Sequence, residues 1–188
     1  MSNPVNFTTP VGRLVQGSLY KAQTTDQAGN PLLIKKGPNM GQPRVDFFFA
    51  LAIPKGSETH WNQTPWGQLL YKVGVEAFPQ GQYQMPTFAW KVIDGDSTIL
   101  DQGMKRPCDR EGFPGNWILR FSSGFAPSVW NANGTEAIVA VDAVKPGYFI
   151  QVNGSVKGNE SDQRPGIFLN HSMVALADYG PEISVGPD

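Results

Sequence analysis

The sequence predicts a mainly-β domain with a single helix. Val, Ile, Thr and aromatic residues gather in short runs, several runs alternate apolar with polar residues, and 21 Gly and 16 Pro punctuate the gaps. At 188 residues the chain can bury a core without staples, and it reads as one domain over 1–188, with a core from about 11 to 180 and a short extension over 181–188.

Residues 11–22, VGRLVQGSLYKA, alternate Val11, Val15 and Leu19 with Gln16, Ser18 and Tyr20, as a half-buried strand does, so Tyr20 is expected on the polar side. A long loop or ribbon follows, punctuated by Gly29, Asn30, Pro31, Gly37 and Pro38 and carrying Lys35 and Lys36. Residues 44–53, RVDFFFALAI, form the clearest strand: Val45, Phe47, Phe49, Leu51 and Ile53 share one face, and Arg44, Asp46, Phe48, Ala50 and Ala52 the other. Phe48 is the anomaly, a ring on the polar face. It is either packed under a loop or presented for stacking.

Over residues 65–78, Trp66, Leu69, Leu70, Val73 and Ala77 recur at helical spacing, and Pro65 suits the first turn. One helix is expected here, with Trp66 in the core. Residues 116–122, NWILRFS, place Trp117, Leu119 and Phe121 inward and Arg120 outward. The last two strands fall near 147–156 and 166–177, and Phe149 repeats the situation of Phe48. A strand, a long loop, a strand, a helix and three more strands fit a five-stranded, partly open antiparallel barrel with long loops, the OB type. The helix lies between the second and third strands and not in the commoner place after the third.

The stretch from Asp94 to Trp130 is the most informative for function. It sets Lys105, Arg106, Arg110 and Arg120 among Phe113, Trp117, Phe121, Phe125 and Trp130. Cations interleaved with flat rings suit a flexible polyanion with unstacked bases, since the charges track phosphates and each ring can take a base face for roughly 1 to 3 kcal/mol. Strand parity assigns Trp117 and Phe121 to the core, which leaves Phe113, Phe125 and Trp130 as the freer rings. The candidate binding residues are therefore Tyr20, Lys35, Lys36, Arg44, Phe48, Lys105, Arg106, Arg110, Phe113, Arg120, Phe125, Trp130 and Phe149.

The net charge of −1 hides an asymmetry: residues 1–120 carry 12 Lys and Arg against 9 Asp and Glu, and residues 121–188 carry 3 against 7. A polyanion surface is expected mostly in the first two thirds. No phosphate-cradling Gly-Lys-Ser/Thr loop and no GxSxG elbow occur. One Cys and two His give no metal cluster, and Asp94 and Asp96 in DGD are first a turn signature. No enzyme, cofactor or metal is expected. The lone Cys108 excludes an internal disulfide framework, no stretch approaches the ~20 apolar residues of a membrane span, and MSNPVNFTTP is unlike a signal peptide. A cytoplasmic protein is expected.

The order RVDFFFALAIPKG, VIDGD, GFPGNWILRFSSGFAPSVW, PGYFIQVNGSVKGN and RPGIFLNHSMVALADYG resembles the single-stranded-DNA-binding proteins of tailed bacteriophages, over about Val11 to Gly180. The resemblance implies an OB fold, binding of single-stranded DNA in replication, recombination and repair, and action in the host bacterial cytoplasm. It also implies phage replication proteins as partners, often recruited through an acidic C-terminal tail, to which the final SVGPD does not correspond. Self-association stays open. The rivals are a non-catalytic phage structural or adaptor domain and a carbohydrate-binding β-domain, in which exposed Trp rings would stack on sugars.

Overall fold

The computed structural model describes residues 3–26, 28–100 and 105–184. Among them are eight strands, β1 Val5–Thr8, β2 Gly12–Gly17, β3 Phe47–Pro54, β4 Val92–Asp94, β5 Asn116–Ser123, β6 Ser128–Trp130, β7 Phe149–Gly158 and β8 Ile167–Asp178, with one α-helix, α1 Pro65–Ala77. They form a single sheet in the order β4-β5-β3-β2-β7-β8-β6, with β1 also paired to β7. The mainly-β, OB-like architecture is as expected. The sheet curls so that β5 approaches β8 across the core, but it does not close into a barrel.

Two details correct the expectation. There are eight strands and not five, because β1, β4 and β6 have only three or four residues each and are too short to show alternation. The sheet is mixed and not antiparallel throughout, since β6 runs parallel to β8, Val129 opposite Val174.

The expected helix starts where Pro65 and its cap place it: the Thr64 hydroxyl accepts from the Gly67 amide at 2.9 Å. Trp66, Leu70 and Val73 turn inward from α1. Gly74 is required by close approach, for a Cβ there would lie 2.4 Å from the Trp90 ring. Trp61, Trp66, Tyr71, Tyr83 and Trp90 make one aromatic cluster on this side, with Tyr71 stacked on Trp90 at 5.2 Å. None of the five tryptophans is fully exposed.

The main core fills the concave face. Phe49, Leu51 and Ile53 of β3 meet Trp117, Leu119 and Phe121 of β5 and Ile150, Val152 and Val156 of β7, and the Phe121 ring stacks between Phe7 and Phe49 at 6.2 and 5.4 Å. Each such buried side chain contributes roughly 1.5 to 3 kcal/mol. The outer face is not simply polar. Val15, Ala50, Ala52, Phe113, Ile118 and Ile183 form a second, smaller core on it, as the parity of β3 had placed Ala50 and Ala52.

Along β2 the alternation fails. The register with β3 shifts between Leu14 and Gln16, so the consecutive Val15 and Gln16 both lie on the outer face, Val15 in the second core and Gln16 opposite Ala50, while Leu14 faces the main core. Gly17, at φ +81°, then turns the chain where any Cβ would collide with the Phe48 carbonyl. β2 ends there, so strand parity does not reach Tyr20, which packs against the main core.

Candidate functional site

The outer face of β4, β5, β3 and β2 has two ends. Across one end, register aligns Ile93, Ile118, Ala52 and Arg13, with Phe149 of β7 next in the row. Phe113 and Ile183 pack over this end. The segment bearing Ile183 is tied down by its amide, which donates to the Pro146 carbonyl at 2.9 Å, and by Arg13, which donates to the carbonyls of Gly147 at 3.0 Å and Pro181 at 2.6 Å. Gly180 passes so close to the Phe149 ring that a Cβ would stand 2.9 Å from it.

At the other end the row is Arg120, Ala50 and Gln16, with Lys91 beside Arg120 and with Phe48 opposite Ser122 one step on. Lys91 precedes β4 in a left-handed conformation, φ 61°, and its carbonyl accepts from the Arg120 amide at 2.9 Å. Phe48 is half-buried against the second core, so its ring lies beside the Arg120 strand on one surface. Asp46 precedes β3 on the Phe48 side and pairs with Gln23 at the foot of the ribbon. Burial pushes the Asp46 carboxyl up, while Arg44, His171 and Lys91 pull it back. The Lys91 ammonium is pushed down by burial and by the Arg120 charge, against the pull of Asp46.

His171 supports this end from beneath. It is 1% exposed, its Nε2 donates to the Phe47 carbonyl at 2.9 Å, and Nδ1 has no partner among the described residues. Burial holds its pKa below the usual histidine range. The Phe125 ring, 61% exposed, meets the His171 ring edge-on at 6.3 Å.

The structure thus brings together Arg44, Phe48 and Arg120 of the expected residues. It places others elsewhere. Lys35 and Lys36 are exposed at the tip of the ribbon, whose rungs join Gln23 to Asp46 and Leu33 to Pro43. Lys105 is exposed on the 105–115 loop, Arg106 chelates Asp109 at 2.7 and 3.2 Å, and Arg110 lies 6.0 Å over the Phe113 ring. Trp130, half-buried on the edge strand β6, donates to the Ser128 hydroxyl at 3.2 Å.

Two expected stacking rings are corrected. Phe113 is 2% exposed and offers no face, because the second core needs a large side chain over Val15 and Ile118. Tyr20 packs on the main core and its hydroxyl accepts from the Val144 amide at 3.2 Å, so it does not share a face with Phe48, because β2 ends at the left-handed Gly17 before Tyr20. Phe149 is half-buried, like Phe48, with Gly180 against one edge of its ring. Sequence reasoning missed Lys91, for no alternation in a three-residue strand shows that Lys91 stands beside Arg120. Asp94 and Asp96 hold Lys55 at 2.5 and 2.7 Å, and Asp96 accepts from the Gly115 amide at 2.9 Å, a turn latch as their spacing suggested.

No family model and no curated protein matches the sequence. Solved structures do match in fold. The single-stranded DNA-binding protein from bacteriophage Enc34 superposes with a TM-score of 0.65 at 13% identity, over 97% of this chain and 86% of that one. The same Enc34 protein in complex with ssDNA gives 0.61 at 13% identity, over 95% and 89%. Gp2.5, a single-stranded DNA-binding protein encoded by bacteriophage T7, gives 0.51 at 15% identity, over 98% and 91%. The chain shares their fold along nearly its whole length, as the sequence resemblance implied.

Proposed function

We propose that this protein binds single-stranded DNA with little sequence preference and catalyses no reaction. The observation that carries the reading is the Ala50 end of the outer face, where the half-buried Phe48 ring and the Lys91 and Arg120 cations lie together at the foot of a ribbon that carries two more lysines. Such a surface can take a base on the ring and phosphates on the cations, which reads no base identity. The fold shared with phage proteins of that description supports the same reading. We extend it to phage DNA replication, recombination and repair in the host cytoplasm, with phage replication proteins and further copies of this chain as partners.

A fluorescence titration with labelled oligo-dT at several salt concentrations tests the proposal. Each neutralised phosphate adds about −0.7 to the slope of log affinity against log salt, so a chain near electroneutrality should show a slope of roughly −2 to −4. An affinity that ignores salt, or a preference for an oligosaccharide panel over oligo-dT, would sink it.

A further inference from the structure

Resting on the reading of further copies as partners, we propose that the protein forms a two-fold dimer in which the ribbon of each copy docks on the 131–143 loop of the other. Among the described residues of the ribbon, 21–45, none is buried: Leu32 and Ile34 are half-buried, Leu33 and Val45 are exposed, and Met40 is 68% exposed. Backbone hydrogen bonds knit it together, from the Leu32 amide to the Thr24 carbonyl at 2.8 Å, the Arg44 amide to the Leu32 carbonyl at 2.9 Å and the Ile34 amide to the Gln42 carbonyl at 2.9 Å. A ribbon that packs no face of its own gains from a surface that covers it.

The 131–143 loop is the matching surface. Val139 and Val141 are 86% and 71% exposed, and a fixed turn holds them out: the Ile138 amide donates to the Val129 carbonyl at 2.7 Å, the Ala143 amide to the Ala140 carbonyl at 3.2 Å, and Asp142 is left-handed at φ 62°. The charges are opposite. The loop carries Glu136 and Asp142 and no Lys or Arg, whereas the ribbon carries Lys21, Lys35, Lys36 and Arg44 against Asp26. Apolar side chains ringed by complementary charge are what a specific interface joins. Within one copy neither tip covers the other, yet both spring from one corner, where the hydroxyl of Tyr20, just before the ribbon, accepts from the amide of Val144, just after the loop, at 3.2 Å. Two complementary patches side by side are met together by a second copy turned about a two-fold axis, so the contact closes at a dimer.

The test is the mass of the protein in solution without DNA, by sedimentation velocity over a range of concentrations, with melting temperatures alongside. Wild type should sediment as a dimer. Lys35→Glu with Lys36→Glu, and Glu136→Lys with Asp142→Asn, change exposed residues only, and Asn suits the left-handed turn; each pair should leave a folded monomer at the same concentration. An equimolar mixture of the two variants should regain the dimer mass, because each ribbon then faces a loop of opposite charge. A mixture that stays monomeric, or a dimer mass kept by both variants, overturns the docking and leaves self-association to another surface. Wild type that is monomeric at every concentration overturns further copies as partners as well, while single-stranded DNA binding stands or falls by its own oligo-dT titration. A ribbon variant that loses affinity for oligo-dT but keeps the dimer mass would give the ribbon to the strand and not to a second copy.

Discussion

The Ala52 end and the Ala50 end of the outer sheet face lie two residues apart on β3, yet they meet different surroundings. At the Ala52 end, Phe113 arrives on the 105–115 loop and Ile183 on the segment after β8, and they enclose Val15 and Ile118 as a second core. At the Ala50 end the neighbours are Lys91, Arg120 and the half-buried Phe48, with Asp46 and Arg44 at the foot of the ribbon. The same pleat and the same alternation serve both ends. Ala50 and Ala52 are both buried in the second core; what differs is the side chains around them, two apolar ones carried in by distant segments at one end and cations beside a half-buried ring at the other.

The largest effect that tests this contrast is Phe113→Ala. Removing a fully buried ring should cost about 3 to 5 kcal/mol of folding stability, read from the denaturation midpoint. DNA affinity of the folded fraction should not change; a loss there would place Phe113 on the binding path and erase the distinction between the two ends. Phe48→Ala comes next. It should weaken oligo-dT binding by about 1 to 3 kcal/mol and lower the melting temperature less than Phe113→Ala does. A Phe48→Ala protein that is strongly destabilised but binds normally when folded would make the Ala50 end a core as well.

A smaller effect concerns the support under Phe125. Burial holds the pKa of His171 in the folded protein below its unfolded value, so the unfolded chain takes up the proton first as pH falls. Stability should therefore be complete above the ordinary histidine range and decline as pH drops through it toward the folded value. Denaturation midpoints from pH 8 to pH 5 should show this decline, and His171→Gln should flatten the part belonging to this residue. A wild-type profile that rises toward pH 5 would contradict the buried neutral imidazole. The smallest effect is expected from replacing Lys105 and Arg106 together by Ala. Arg106 already chelates Asp109, so the pair should lower the salt slope only slightly and equally for all sequences. A loss larger than that of Phe48→Ala would move the DNA path onto the 105–115 loop.

Much of this was legible in local pattern. The alternation in RVDFFFALAI separated Phe49, Leu51 and Ile53 from Ala50 and Ala52, the spacing from Trp66 to Ala77 with Pro65 located α1, and the parity of NWILRFS turned Arg120 outward. Long regular elements declare themselves because a period of 2 or 3.6 repeats several times within them. Tyr20 did not, since β2 ends at Gly17, whose left-handed turn stops strand parity before Tyr20, and the bulge puts Val15 on the outer face beside Gln16. Lys91 did not, because three residues of strand hold too little pattern to reveal a neighbour on β5.

By itself, then, the sequence determined the mainly-β class, the four longest strands, the helix, and the presence of cations among rings in the first two thirds of the chain. These follow from side-chain chemistry and short-range periodicity, which each segment carries alone. Only the tertiary structure decided which rings are spent on cores and which cations stand together. Phe113 is covered by a segment that returns from about 70 residues away, and Lys91 meets Arg120 across a ladder rung. Burial and charge pairing at these positions depend on contacts between distant parts of the chain, and no local pattern encodes them.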